Sequence, residues 1–208
     1  MSDAPHVVLV HGYFTTPAAM LTLVKWFEEQ GLRCAVPSLG GLFGTWQTAR
    51  VHRSGAYLAA YLKTLPPDIR PWVVGHSLGG LIARQAVQIE GVEDRIRGVL
   101  TLGTPHRGSF RILLSFLFGI GFLGTAAFDI LPSSKTIRTL SHAPWPAGIP
   151  LISFASRTDK LCPYGATEPR LPHGSDCRWI EVDNLGHSEL VCHRPTFDLL
   201  TQRMESVR

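Results

Sequence analysis

Charge is scarce in this chain. Its 208 residues include 20 Lys or Arg and 16 Asp or Glu, for a formal net charge of +4. The basic residues form no run, so the clustered stripe of a nucleic-acid binder is missing and no nucleic-acid partner is expected. Cysteine is scarce as well. Cys34, Cys162, Cys177 and Cys192 make no C-x-x-C pair and no zinc spacing. No acidic pair suits calcium, and Gly40, Gly41 and Gly44 lack the Lys-Ser/Thr that follows them in a phosphate loop. The expectation is catalysis without metal or cofactor. The uncharged apolar stretch from Ile112 to Phe128 stops one residue short of an 18-residue span. With Met1 as the native start there is no tripartite leader, which predicts a cytoplasmic chain with free thiols. A Cys162–Cys177 bridge is the alternative for an exported chain.

Apolar residues are plentiful at 45%, and the 20 Gly and 15 Pro follow no period. That excludes a disordered or collagen-like chain and fits one domain with a single large core. Short apolar runs alternate with helical patterns, as in a mostly parallel sheet covered on both faces. Strands are predicted at His6–Val10, Arg33–Val36, Pro71–Gly75, Ile96–Leu102, Ile149–Ala155 and Arg178–Val182. Helices are predicted at Pro17–Gln30, Thr45–Leu65 and Leu78–Glu90, with one more closing the chain after His187. The class is α/β, with about six strands in one domain spanning residues 1–208.

Gly75-His76-Ser77-Leu78-Gly79 sits between the third strand and its helix. G-x-S-x-G alone is a weak pattern, but at a strand-to-helix turn it carries a mechanism. A serine on so sharp a turn needs small neighbours, and Gly75, Gly79 and Gly80 supply them. Its oxygen then projects above the sheet, beside the unpaired N–H groups of a helix N-terminus. The competing reading is a Gly-rich turn in which Ser77 merely caps the helix.

With these residues the sequence resembles the α/β-hydrolase superfamily, and within it the small bacterial lipases and esterases. Val8-Leu9-Val10-His11-Gly12-Tyr13, Gly75-His76-Ser77-Leu78-Gly79-Gly80 and Leu102-Gly103-Thr104-Pro105-His106-Arg107-Gly108 carry the resemblance, with Asp159 and His187 completing the order. It implies an α/β-hydrolase fold and a serine ester hydrolase in which Ser77 is nucleophile, His187 base and Asp159 the acid that orients it. The backbone N–H groups of Tyr13 and Leu78 would form the oxyanion hole. His193 is the runner-up base, and Asp183 and Asp176 are runner-up acids. An acyltransferase or thioesterase could use the same triad, and a non-catalytic binding module is the remaining alternative, although no triad member is missing.

Residues 107–131 are predicted to be an apolar insertion. Three readings compete for Ser109–Leu131: a transmembrane helix, a pair of core helices, and a mobile cap over Ser77 hinged at Gly119, Gly121 and Gly124. The cap is favoured, because apolar residues fall on every helical face. It would meet a lipid surface or a second copy of the chain, and the substrate would be a small-molecule ester or lipid.

Overall fold

The computed structural model describes residues 5–43, 45–113, 124–172 and 175–206. Six strands form one parallel sheet: β1 (Val7–Val10), β2 (Cys34–Ala35), β3 (Trp72–His76), β4 (Gly98–Leu102), β5 (Leu151–Ala155) and β6 (Cys177–Glu181). Their spatial order is β2-β1-β3-β4-β5-β6. Register runs through the sheet without a slip, for example Val8 opposite Val73, Val73 opposite Val99 and Val99 opposite Leu151.

Alternation along each strand sends residues to two separate cores. Val8, Val10, Val73, Val99 and Leu151 face the first, with α2 (Val51–Thr64), α3 (Leu78–Gln88) and the helix Lys135–His142. Val7, Leu9, Val74, Leu100 and Phe154 face the second, with α1 (Leu21–Glu29) and the helix Arg194–Glu205. All four residues of β1 are fully buried. Each such Val or Leu contributes about 1.5–3 kcal/mol at most. Both faces of the strands are therefore apolar, which is why the strands read as continuous runs.

The expected elements are present with shifted ends. Pro17–Met20 is a 3-10 turn that leads into α1. The helix expected at Thr45–Leu65 begins only at Val51. Its first N–H is taken by the Asp129 carboxylate at 2.8 Å, a cap donated from 78 residues away. Trp46 and Gln47 instead contact the loop after β1. The helix Lys135–His142 was not anticipated. Ser134 caps it by accepting from the Ile137 N–H, and Ile137 and Leu140 bury one side. Fully buried Arg84 holds this helix against α3 by donating to the Leu140 carbonyl at 2.5 Å.

Both flanks of the apolar insertion are packed. Ser109 Oγ donates to the Leu161 carbonyl, and Ala126, Ala127 and Ile130 are buried. Its centre, residues 114–123 with Gly119 and Gly121, lies outside the described residues. Among the described residues no helix is long and apolar enough to cross a membrane. All four cysteines are free, so Cys162 and Cys177 form no bridge.

Candidate active site

Ser77 occupies the turn between β3 and α3 with φ 54° and ψ −124°. A non-glycine residue there is strained by roughly 1–3 kcal/mol. The surroundings enforce it. A Cβ on Gly79 would overlap the Val10 carbonyl, and one on Gly75 would collide with the Gly79–Gly80 backbone. Only glycine lets α3 start so close to β1 and β3.

The sheet order reverses between β1 and β3, and a crevice opens at the carboxyl ends of these strands. Tyr13 follows β1 and Ser77 follows β3, so they flank that crevice. Asp159 follows β5 and His187 follows β6. The four come from four different strands.

His187 Nδ1 donates to Asp159 Oδ2 at 2.7 Å. The other carboxylate oxygen of Asp159 accepts the backbone N–H groups of Leu161 at 2.9 Å and Cys162 at 2.8 Å. Asp159 is buried and its side chain has no solvent exposure. Both oxygens are thus engaged, as an orienting acid requires, and Nε2 of His187 is left as the basic nitrogen. His187, Ser77 and Tyr13 line one cavity of about 170 Å³, walled by Ile112, Ile130, Leu161 and Pro105. A larger cleft of about 530 Å³ lies at the amino ends of the strands, between His6, Trp72, Arg97 and Met204. Neither serine nor cysteine lines it, and it is at the wrong edge for chemistry in a sheet of this kind.

The runner-up residues fall elsewhere. His193 pairs with Asp183 at 3.8 Å, on a surface where the Asp183 side chain is 71% exposed. Asp176 contributes its backbone carbonyl to Leu151 at the start of β5.

The loop after β1 carries a second strained residue, Phe14, at φ 52°. Its N–H donates to the Gln47 carbonyl, the Gln47 N–H donates to Thr15, and its ring packs on Trp46 at 4.8 Å. This pairing with Trp46 and Gln47 holds the turn that brings Gly12 against Ser77, where a Cβ would stand 3.0 Å from that of the serine. The Phe14 amide is committed to Gln47, and Tyr13 lines the cavity. Leu78 is the first residue of α3, where helix geometry offers its N–H no intrahelical acceptor. His11 is buried, with Nδ1 near Thr15 Oγ1 at 3.2 Å, and burial lowers its pKa. It supports the loop as a neutral ring.

Three contributions were not legible in the sequence. The Nε2–H of His76 donates to the His187 carbonyl at 3.0 Å, and the two rings lie 4.7 Å apart. Burial first, then the neighbouring His187, lowers the His76 pKa to about 3, so the donor stays neutral. His106 is likewise kept neutral by burial and by Arg84, and it joins Thr101 at 3.0 Å to Arg84 at 3.3 Å beneath the site. Finally, the fold gathers Asp159, Cys162 and His187 so that one ligand-type atom of each lies within 4.8 Å of the others. The D-x-x-C spacing was a faint signal for the first two. The resemblance already paired Asp159 with His187, but nothing in the sequence added Cys162 to that pair.

A strained serine over a buried acid–histidine pair, at the switch point of a parallel sheet, defines the α/β-hydrolase class of fold. Comparison with known proteins agrees. Residues 55–118, from within α2 through the elbow and β4, match the model of the PGAP1-like alpha/beta domain family. The mature lipase BlEst2 of Bacillus licheniformis superposes with a TM-score of 0.74 at 17% identity, over 97% of this chain and 92% of that one. The monoacylglycerol lipase of Paleococcus ferrophilus gives 0.68 at 16%, over 99% and 96%. The methylesterase protein MES16 of Arabidopsis gives 0.65 at 16%, over 97% and 99%. The chain thus has the α/β-hydrolase fold.

Proposed function

We propose that the chain is a serine hydrolase of carboxylic esters, working through an acyl-enzyme on Ser77. The observation that carries this reading is the 2.7 Å bond from His187 to buried Asp159, in the cavity that also exposes Ser77. Ser77 Oγ attacks the ester carbonyl while His187 Nε2 takes its proton. Asp159 holds the Nδ1–H tautomer and stabilises the imidazolium that forms. The Tyr13 and Leu78 amides receive the oxyanion, and Ser77's strained turn presents the nucleophile to both. His187 then passes its proton to the leaving alkoxide. Water, activated by the same imidazole, releases the acid.

The apolar wall of Ile112, Ile130 and Leu161 favours an acyl chain over a charged group. Names among the similar structures range from lipase to methylesterase, so the fold leaves the substrate to that wall. Phe110 and Phe128, on either flank of residues 114–123, are exposed. They would face a lipid phase or a second copy of the chain. Four free thiols support a reducing, cytoplasmic setting.

The test is a p-nitrophenyl ester series from acetate to palmitate, with Ser77→Ala alongside. Turnover by the native chain, and its loss in the variant, is expected. A burst of nitrophenol equal to enzyme from Ser77→Ala would place the nucleophile elsewhere. Added alcohol separates hydrolysis from acyl transfer by the product formed.

A further inference from the structure

We propose that Asp159, Cys162 and His187 form a binding site for a soft divalent cation of the zinc or cadmium kind, and that filling it switches catalysis off reversibly. The inference rests on the hydrolase reading, since its consequence is loss of the base.

The three donors are oxygen, sulfur and nitrogen, mutually within 4.8 Å, with Asp159 and Cys162 buried. A tetrahedral zinc ion with bonds of about 2.0–2.3 Å holds such ligands roughly 3–4 Å apart, so the cluster needs modest closure. Asp159 and Cys162 sit on one turn, locked by the Cys162 N–H on Asp159 Oδ1. That bond holds the Asp159 carboxylate against the Cys162 backbone and leaves the thiol free to turn towards an ion. His187 comes from the next loop and already contacts the other carboxylate oxygen. Cys162 and His187 also line the Ser77 cavity, which gives an ion the same entrance as the substrate.

Charge favours the occupied state. The ion displaces the thiol proton to solvent, and the thiolate and carboxylate together cancel its two charges, leaving no net charge in a buried site. It takes His187 Nδ1 in place of the proton, which moves to Nε2. One proton is released in all. An imidazole protonated at Nε2 cannot accept the Ser77 proton, so the bound ion holds the base in the wrong tautomer. The thiolate selects against magnesium and calcium.

Cadmium titration of the whole chain tests this, because thiolate-to-cadmium charge transfer absorbs in the ultraviolet whether or not the enzyme turns over. Native protein is expected to gain one equivalent of that absorption as ester turnover falls in parallel, with both reversed by EDTA. Cys162→Ala should lose that equivalent and become less sensitive to cadmium by about tenfold or more, measured against its own metal-free rate. Cys162→Ser provides a second, nearly isosteric variant, and Cys192→Ala should behave as native. Equal absorption and equal inhibition in the Cys162 variants would overturn the site, as would a native enzyme indifferent to cadmium. If the metal-free native chain shows no turnover, the hydrolase reading fails, and the absorption alone then decides whether the cation site exists.

Discussion

The elbow, Trp72 to Gln88, and the stretch from Pro105 to His142 meet at the same cavity but are held in different ways. β3 is bonded on both sides, to β1 and to β4, and α3 is buried from Leu78 to Val87. The described parts of the second stretch contain short turns and two short helices, and side chains tie them down. Ser109 bonds the Leu161 carbonyl, Arg111 the Lys160 carbonyl, Asp129 the Val51 N–H and Arg50, and Ser134 the Asp129 carbonyl. A ladder resists local opening far better than a few polar ties. The nucleophile is therefore insulated from changes that reach Ile112 and Ile130. In the proposed hydrolase the first region would hold the nucleophile and the second would shape the wall that chooses the substrate.

That contrast can be broken at several points. Ser77→Ala should lower turnover of every ester by about 10⁴-fold or more, with His187→Ala similar and the double variant scarcely worse, since the triad acts as a unit. Urea midpoints should stay near native or rise, because the strained side chain adds little packing. Asp159→Asn should cost about 10³–10⁴-fold by permitting the wrong tautomer. Asp183→Asn, on the exposed pair with His193, should be close to neutral. The reverse order would move the acid.

His76→Leu removes the bond to the His187 carbonyl, and a displaced base should lower kcat by about tenfold with little change in KM. His76→Gln, which keeps an N–H, should recover part of that loss. An equal fall for both, or an effect on KM alone, would make His76 a packing residue. Asp129→Ala should act on the other region. Losing the cap on Val51 should cost about 1–3 kcal/mol in urea unfolding. Acetate turnover should hold within about twofold while the palmitate-to-acetate ratio shifts, the expected mark of a disturbed wall. Equal losses on both esters would erase the distinction between the regions.

A last prediction concerns pH and acts on stability alone. Folding lowers the His76 pKa from 6.5 to about 3. Between these values the unfolded chain binds a proton that the folded chain does not. His76 therefore contributes fully above about pH 6.5, and the contribution is lost as pH falls towards 3, by about 1.4 kcal/mol per unit. His11 and His106 shift in the same direction. Urea midpoints should fall between pH 7 and pH 4, and a rise over that range would contradict the burial of these rings as neutral groups.

How much of this was legible follows from how local each determinant is. The elbow could be read because strand, glycines, serine and helix are contiguous, and Asp159 and His187 because each closes a visible strand. The helix expected from Thr45 starts late because its cap, Asp129, belongs to another part of the chain, and because Trp46 and Gln47 serve the loop after β1. The helix Lys135–His142 leaves no periodic signal in the sequence, because its apolar side amounts to Ile137 and Leu140. The part played by His76 depends on a carbonyl 111 residues away. The Cys162 cluster, too, exists only once β5 and β6 are neighbours.

The central claim is that Ser77 is the activated nucleophile of the Asp159–His187 pair. A serine-directed alkyl phosphonate tests it directly, with peptide mass mapping of the adduct. One adduct per chain is expected, located on Ser77, with labelling slowed strongly in His187→Ala and absent in Ser77→Ala. Labelling at another residue, or undiminished labelling without His187, would contradict it.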